Sequence, residues 1–564
     1  MEKFAVLLLL MIPAYFIYAV YSTLRAARQR RDEAARSFGT FQEHPQEDWE
    51  SLYAQWTLQK PEGQYNVDDI TWNDLDMDLV FHRINACLTT PGEEELYNRL
   101  RSLPGTEDDW EGALDALDRD SALRLKIQTL LAHVGKSSEN GLPDLLHHPD
   151  EYRLPYTILF RVAAFLPLIA AAVFFLPVPA GTGLIALIPA LLINLILYYW
   201  GGKMLRGRLH TMHYAKALLW CAKKLTHMSM PGLDAQQAAI KAAARPFSRL
   251  RRAFSKATQD GMVEGDLAAM MTFAQVFFLT ELRAYNRVMS VISRHAEELG
   301  ALYRAIGRLD MMISVLSLRK SLPKSCLPRF HAQMSLEAED IVHPLLKNGV
   351  ENSASFDRGV LLTGSNASGK STFIKALAVN AIWAQSINTC SAAAFSLPRA
   401  NIISSMALKD NLAGGESYFV VEIKSFRRIL QAVKHAPCLC FVDEILRGTN
   451  TIERIAASSA VLKSLQKSSS LCIAATHDIE LTKLLSDQYD NYHFKEQLID
   501  KGIQFDYKLR PGPSQTRNAL LLLGAYDFPE KVIGEAEETV KFFEQEHHWP
   551  APDDLEGGGS PASA

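Results

Sequence analysis

The segment Gly364-Ser-Asn-Ala-Ser-Gly-Lys-Ser-Thr372 follows the apolar run 359–363 and precedes the helical run 373–382. A strand, a glycine-bearing loop and a helix in that order form a cradle for phosphate. Gly364 and Gly369 let the backbone turn its N–H groups inward around an anion, and a helix starting near Lys370 adds the positive end of its dipole. In this pattern Lys370 reaches the β- and γ-phosphates, Ser371 sits on Mg²⁺, and Thr372 closes the loop. The sequence therefore predicts an α/β P-loop hydrolase domain with a mostly parallel sheet in the C-terminal part of the chain, with ATP and Mg²⁺ as its ligands.

Two further strand patterns complete such a site. The apolar run 438–442 ends in Asp443 and Glu444, and the run 471–475 ends in Thr476 and His477. A carboxylate at the first of these ends holds the metal, and a second one beside it orients or deprotonates the attacking water. Asp443 is assigned to the metal and Glu444 to the base. A lone histidine is ordinarily structural, but His477 ends a strand alongside the other motifs. Three strands that all carry chemistry at their C-terminal ends fit a parallel sheet with the ligand at its carboxyl edge.

The ordered motifs GSNASGKSTF, DNLAGGESYFVVE, FVDEILRGTNTIE and AATHDIELT are followed by segments 507–512 and 528–533. Together they resemble the ATPase domain of the MutS family over roughly 341–544. That family's loop usually reads GPNMGGKST, so Asn366 coincides with its Asn while Ser365, Ala367 and Ser368 depart from it. The resemblance implies that Asn366 joins Lys370 at the γ-phosphate, and that Ser417 is the signature serine reaching the nucleotide of an opposite subunit. It also implies that His477 is the switch histidine, that the protein is a homodimer with two composite sites, and that DNA is a ligand. His343-Pro344, segment 302–310 and segment 71–97 look like the family's approach to the ATPase and the start of its helical core. No mismatch-reading domain with a Phe-x-Glu wedge is seen before Thr71, so mismatch specificity is not expected. Segment 412–416 also looks like the LSGGQ signature of ABC ATPases, but the DEILRGTNT and THDIELT continuations fit MutS better.

Composition is that of an ordinary soluble protein, with 48% hydrophobic residues and a net charge of −4, yet three runs lack any charge. They are 4–21 (18 residues), 162–178 (17) and 182–200 (19), each near the length of a membrane helix. The alternatives are a signal peptide for the first and a buried helical hairpin for the other two. Arg25, Arg28, Arg30 and Arg31 follow the first run, and Lys203, Arg206 and Arg208 follow the third. The positive-inside rule then predicts a multi-pass cell-membrane protein with an outside N-terminus, an outward hairpin and a cytoplasmic ATPase domain. Asn194, inside the third run, is either a tolerated amide or a partner for a neighbouring helix.

The expected organisation is a transmembrane anchor (1–21), a cytoplasmic helical region (22–156), a transmembrane hairpin (157–201), a helical core and lever with a basic segment (202–335), a MutS-type ATPase domain (336–546) and a disordered tail (547–564). Apolar residues recur at steps of three and four from Leu267 through Met271, Ala274, Phe278, Leu282, Tyr285, Met289, Ile292, Ala296, Leu299 and Tyr303 to Ile306. That spacing predicts one stripe on a very long helix. Seven cysteines without a C-x-x-C pair suit a reducing compartment.

Between Lys203 and Lys256 stand twelve basic residues against one acid, Asp234. The densest cluster, Arg245, Arg249, Arg251, Arg252 and Lys256, suits either anionic lipid or nucleic-acid phosphate. The sequence thus predicts a membrane-anchored MutS-family ATPase that couples ATP hydrolysis in a dimeric site to DNA binding. The alternative is a membrane ATPase acting on a protein or lipid partner without DNA.

Overall fold

The computed structural model of this chain describes residues 28–40, 47–60, 65–103, 110–137, 141–176, 181–250, 276–365, 368–406, 418–466, 469–499, 502–514 and 528–546, together with isolated positions that include 253 and 254. Contacts divide the chain into two compact units. The first comprises 1–62, 82–99 and 106–321, and the second 63–81, 100–105 and 322–564.

The first unit is helical. Its apolar hairpin consists of α1 (Thr157–Ala163), α2 (Leu166–Ala172) and α3 (Thr182–Leu205), and α4 (Leu209–Thr226) continues beyond it. Pro167 accounts for the break between α1 and α2, because it has no N–H to give to the carbonyl a turn earlier. The runs Thr157–Phe175 and Thr182–Thr226, whose apolar 18-residue stretches have mean hydropathies of 2.4 and 2.0, are long and apolar enough to cross a membrane. Ile158, Ile169, Ile185, Ile188 and Ile196 are all exposed, whereas a core helix of a soluble domain would bury them. Asn194 is fully buried, and its Nδ2 donates to the Phe277 carbonyl at 2.6 Å. Gly201 lies so close to the Leu282 side chain that a Cβ there would fall 2.6 Å from it. The first apolar run, 4–21, lies outside the described residues apart from Tyr18 and Tyr21.

The single long helix expected from the apolar stripe is two helices, α5 (Thr280–Ile292) and α6 (Ala296–Ser321). They are separated at 293–295, where the Ser293 hydroxyl donates to the Met289 carbonyl at 2.8 Å. Such a bond offers the backbone carbonyl an alternative to the helical ladder. The stripe itself is real: Leu282, Tyr285, Met289, Ile292, Leu299, Tyr303 and Ile306 are buried. Leu267, Met271 and Ala274 lie outside the described residues. Further along α6, Asp310 is completely buried. Its carboxylate accepts from the Leu88 amide at 3.0 Å, the Thr89 amide at 2.8 Å and the Thr89 hydroxyl at 2.6 Å.

The second unit holds two sheets. The larger has the order β10-β9-β4-β8-β7-β6, built from β4 (Gly359–Thr363), β6 (Asn401–Ser405), β7 (Cys438–Asp443), β8 (Ser470–Ala475), β9 (Tyr489–Ile499) and β10 (Gly502–Pro511). All its pairings are parallel except the β9–β10 hairpin, so the expected mostly parallel sheet is present. β4, β7 and β8 are buried along their whole length, as suits central strands covered on both faces. Helix α7 (Lys370–Ile387) is buried almost throughout. The cysteines of β7 and β8 pack with Leu361, Ile429 and Leu462 in the core, and all seven cysteines are free thiols.

A smaller sheet, β1-β5-β2-β3, is not foreseen from the sequence. It is built from β1 (Arg329–His331), β2 (Leu336–Ile341), β3 (Asn352–Phe356) and β5 (Ala394–Pro398). The helix Asp69–Asp74, far upstream in sequence, also belongs to this unit and seals the edge at β6. Asp74 accepts from the Ser404 hydroxyl at 2.8 Å and the Met406 amide at 3.0 Å. Lys375 of α7 pairs with Asp76 at 2.5 Å.

Candidate nucleotide site

The strand register puts the three sequence motifs at one level. Leu362 of β4 is level with Ala475 of β8, and Ala475 with Asp443 of β7. The chain therefore leaves the sheet on three adjacent strands at the same edge. Two backbone bonds tie these exits together: Thr476 N–H to the Leu362 carbonyl at 3.0 Å, and Glu444 N–H to the Ala475 carbonyl at 3.1 Å.

After β4 the chain turns at Gly364, where φ is +142°, and re-enters helix at Gly369, where φ is +105°. A Cβ at Gly364 would lie 2.8 Å from the Phe494 carbonyl, and one at Gly369 3.1 Å from the Tyr507 ring, so both glycines are required sterically as well as conformationally. Lys370 opens α7, and its Nζ folds back to donate to the carbonyls of Gly364 and Ser365, each at 2.7 Å. The hydroxyl oxygens of Ser365 and Ser368 are buried without a hydrogen-bond partner. Ser371 and Thr372 are exposed.

Asp443 is buried, and its Oδ1 has no partner. A desolvated carboxylate oxygen left bare at a strand end suits a divalent cation, because burying it otherwise costs free energy with no return. Glu444 adopts φ +57°, a conformation costly for a residue with a side chain and frequent at functional sites. That turn aims its carboxylate at His477, with Oε1 2.9 Å from Nε2. Arg447 pairs with the other oxygen. Burial, together with the cations Lys370 and Arg447, lowers the pKa of His477 below its ordinary value. A neutral imidazole then donates its Nε2–H to Glu444.

Three residues that the sequence reading did not assign stabilise this centre. Arg447 holds Glu444. Arg454, on α9 (Thr451–Gln466) beyond α8 (Tyr418–His435), grips Asp478 with two bonds of 2.9 and 2.6 Å, and so fixes the loop that carries His477. Tyr507 covers Gly369 from the hairpin. Asn366 and Ser417 lie outside the described residues, as do Arg251, Arg252 and Lys256, whereas Arg245 and Arg249 are exposed in the first unit.

This geometry is matched by sequence relationships. Residues 360–544 fit the family model described as MutS domain V. The C-terminal part of the chain therefore carries a MutS-type domain V. It is similar to the DNA mismatch repair protein MutS of Thermus aquaticus, 28% identical over 263 residues, covering 45% of this chain and 32% of that protein. It is likewise similar to the MutS of Aquifex pyrophilus, 28% identical over 280 residues, covering 47% of this chain and 32% of that protein. For the MutS of Streptococcus sanguinis (strain SK36) the identity is 26% over 279 residues, covering 47% and 33%. The chain thus spans about a third of the length of these curated relatives. The P-loop, Asp443-Glu444 and His477 all fall within the MutS domain V match.

Proposed function

We propose that this protein is a membrane-anchored ATPase of the MutS family that hydrolyses ATP in composite sites of a homodimer and couples the cycle to DNA. The observation that carries the ATPase reading is the convergence of Lys370, the bare Asp443 oxygen and the Glu444–His477 pair on three adjacent strand ends.

In this reading the loop amides and Lys370 bind the β- and γ-phosphates, with Asn366 beside them. Ser371 and Asp443 hold Mg²⁺, which when bound neutralises charge on the phosphate oxygens. Glu444 takes a proton from water as the water oxygen bonds to the γ-phosphorus and the bond to the β-phosphate oxygen breaks. His477, kept neutral by its surroundings, steers the Glu444 carboxylate. Ser417 completes the partner subunit's site. Glu444→Gln is expected to bind ATP while turnover falls about 10²–10⁴-fold; turnover near the wild-type rate would remove Glu444 from the role of base.

The two long apolar helical runs, exposed rather than buried, support membrane anchoring in the cell membrane with a cytoplasmic ATPase unit. The MutS-type domain V supports the dimer and DNA. A second reading, an ATPase acting on a lipid or protein partner without DNA, is favoured by the arginine-lined cavity beside the hairpin. Turnover with matched and mismatched duplexes across a salt series separates the two: stimulation selects DNA, and none at low salt selects the second reading.

A further inference from the structure

A cavity of about 700 Å³ in the first unit is lined by Arg161 of α1, by Arg283, Arg287 and Ser290 of α5, by Arg294 just beyond α5, and by Phe165. Four arginines line it, and the described lining contains no acidic residue. Arg283 and Arg287 are four residues apart on α5, so they share one helix face, and Arg294 follows in the turn after it. Like charges so placed repel one another, and an anion among them would relieve that cost. Among the described residues, Arg294 alone of the four has its fork occupied, donating to the carbonyl and hydroxyl of Ser290 at 2.9 and 2.8 Å. The Arg283 guanidinium stands 5.5 Å from the centre of the Phe165 ring. Among the described residues neither Arg161 nor Arg287 forms an ion pair.

The surroundings indicate what sort of anion belongs there. On the hairpin beside the cavity, Ile158, Val162, Phe165 and Ile169 are exposed at steps of four, three and four, which sets apolar side chains next to the charges, with Phe165 lining the cavity itself. At the same end of the hairpin the rings of Tyr156 and Trp200 lie 5.7 Å apart, the aromatic pairing expected where a membrane helix meets the headgroup layer. A charged cavity joined to an apolar stripe at that level matches a molecule with an anionic head and hydrocarbon chains. Guanidinium forks are the side chains best suited to a phosphate.

From these features we infer that the cavity is a binding site for an acidic phospholipid, with the headgroup phosphate among Arg161, Arg283, Arg287 and Arg294 and the acyl chains along the α1 stripe. Ala253, from the segment that carries the basic cluster, also lines the cavity, and the proposal rests on the membrane reading above. Its test uses the full-length protein reconstituted into vesicles of phosphatidylcholine alone or mixed with phosphatidylglycerol. Lipid retained after detergent release is counted by native mass spectrometry, and alkaline extraction of the same vesicles scores insertion. Phosphatidylglycerol should be retained in preference to phosphatidylcholine. The Arg287→Gln/Arg294→Gln double variant, at two exposed positions, should lose that preference roughly ten-fold or more, and Arg287→Lys/Arg294→Lys should keep most of it. Equal retention of both lipids, or an unchanged preference in the glutamine variant, overturns the site. Full displacement by glycerol 3-phosphate would identify a soluble anion instead and overturn the lipid assignment. Protein that inserts but shows no preference removes only the site, while protein extracted by alkali from both kinds of vesicle removes the membrane reading and the site with it.

Discussion

Asp310 in the helical unit and Asp443 in the ATPase unit are both buried aspartates, but they are buried in opposite ways. Asp310 is saturated: two amides and a hydroxyl donate to it, and it anchors the turn that starts the helix at Thr90. Asp443 keeps one oxygen bare and acts electrostatically on His477, as Lys370 and Arg447 also do. Glu94, near Asp310, provides a third case. Its Oε2 is also without a partner, and burial pushes its pKa up to about 8, although a hydrogen bond from Tyr303 works against that. Burial there favours the protonated acid over the carboxylate. A saturated buried acid builds the fold, a bare one in apolar surroundings is protonated, and a bare one among cations at a strand edge awaits a ligand.

The largest effect expected from this contrast is on turnover. Asp443→Ala should cut Mg²⁺-dependent ATP hydrolysis roughly 10²-fold or more while leaving the unfolding midpoint unchanged or higher. A large loss of stability would class Asp443 with Asp310. Asp310→Ala should do the reverse, costing about 3 kcal/mol and exposing the Leu88 and Thr89 amides to hydrogen exchange; retained protection there would show that the anchor is dispensable.

The pH dependence sharpens the third case. Asp310 rises from 3.8 to about 6 and Glu94 from 4.5 to about 8, both through burial. A raised folded-state pKa means that the native state holds more protons than the unfolded chain. The associated stability is complete below about pH 4 and drains away as pH rises through 6 and then 8. Glu94→Gln should flatten that decline and stabilise the helical unit at pH 8.5 by on the order of a few kcal/mol. A denaturation midpoint that falls as steeply as in the parent protein would count against it. The smallest effect concerns the phosphate loop. Gly369→Ala, forced to φ +105° against Tyr507, should weaken ATP binding about ten-fold, and pairing it with Tyr507→Ala should restore part of the loss.

The convergence of Lys370, Asp443, Glu444 and His477 is legible in the sequence because each follows the end of a short apolar strand, so local pattern alone groups them. Arg447, Arg454 and Tyr507 were not legible as site residues. Each acts on a group whose position depends on a turn or a strand register that no local spacing encodes. The same holds for the helix Asp69–Asp74: its cap at Asp68 is readable, but its place against β6, more than three hundred residues away, is not. The break between α5 and α6 has no mark in the apolar pattern, because the stripe runs through it in phase. The smaller sheet was missed although Leu336, Ala338 and Ile341 face inward on a strand whose other residues are charged, because that alternation slips once at a bulge.

The hydrogen bond from Asn194 to the Phe277 carbonyl acquires a mechanical meaning if the hairpin spans a bilayer. Phe277 lies three residues before α5, so the amide pegs the start of that helix to a fixed depth along α3, and Gly201 admits Leu282 to the same groove further along. From there α5 and α6 run on in sequence to residue 321, where the ATPase unit resumes. Bilayer thickness then becomes a variable of the machine. If the hairpin is in a bilayer, a thinner or thicker membrane shifts α3, and the peg carries that shift into the start of α5.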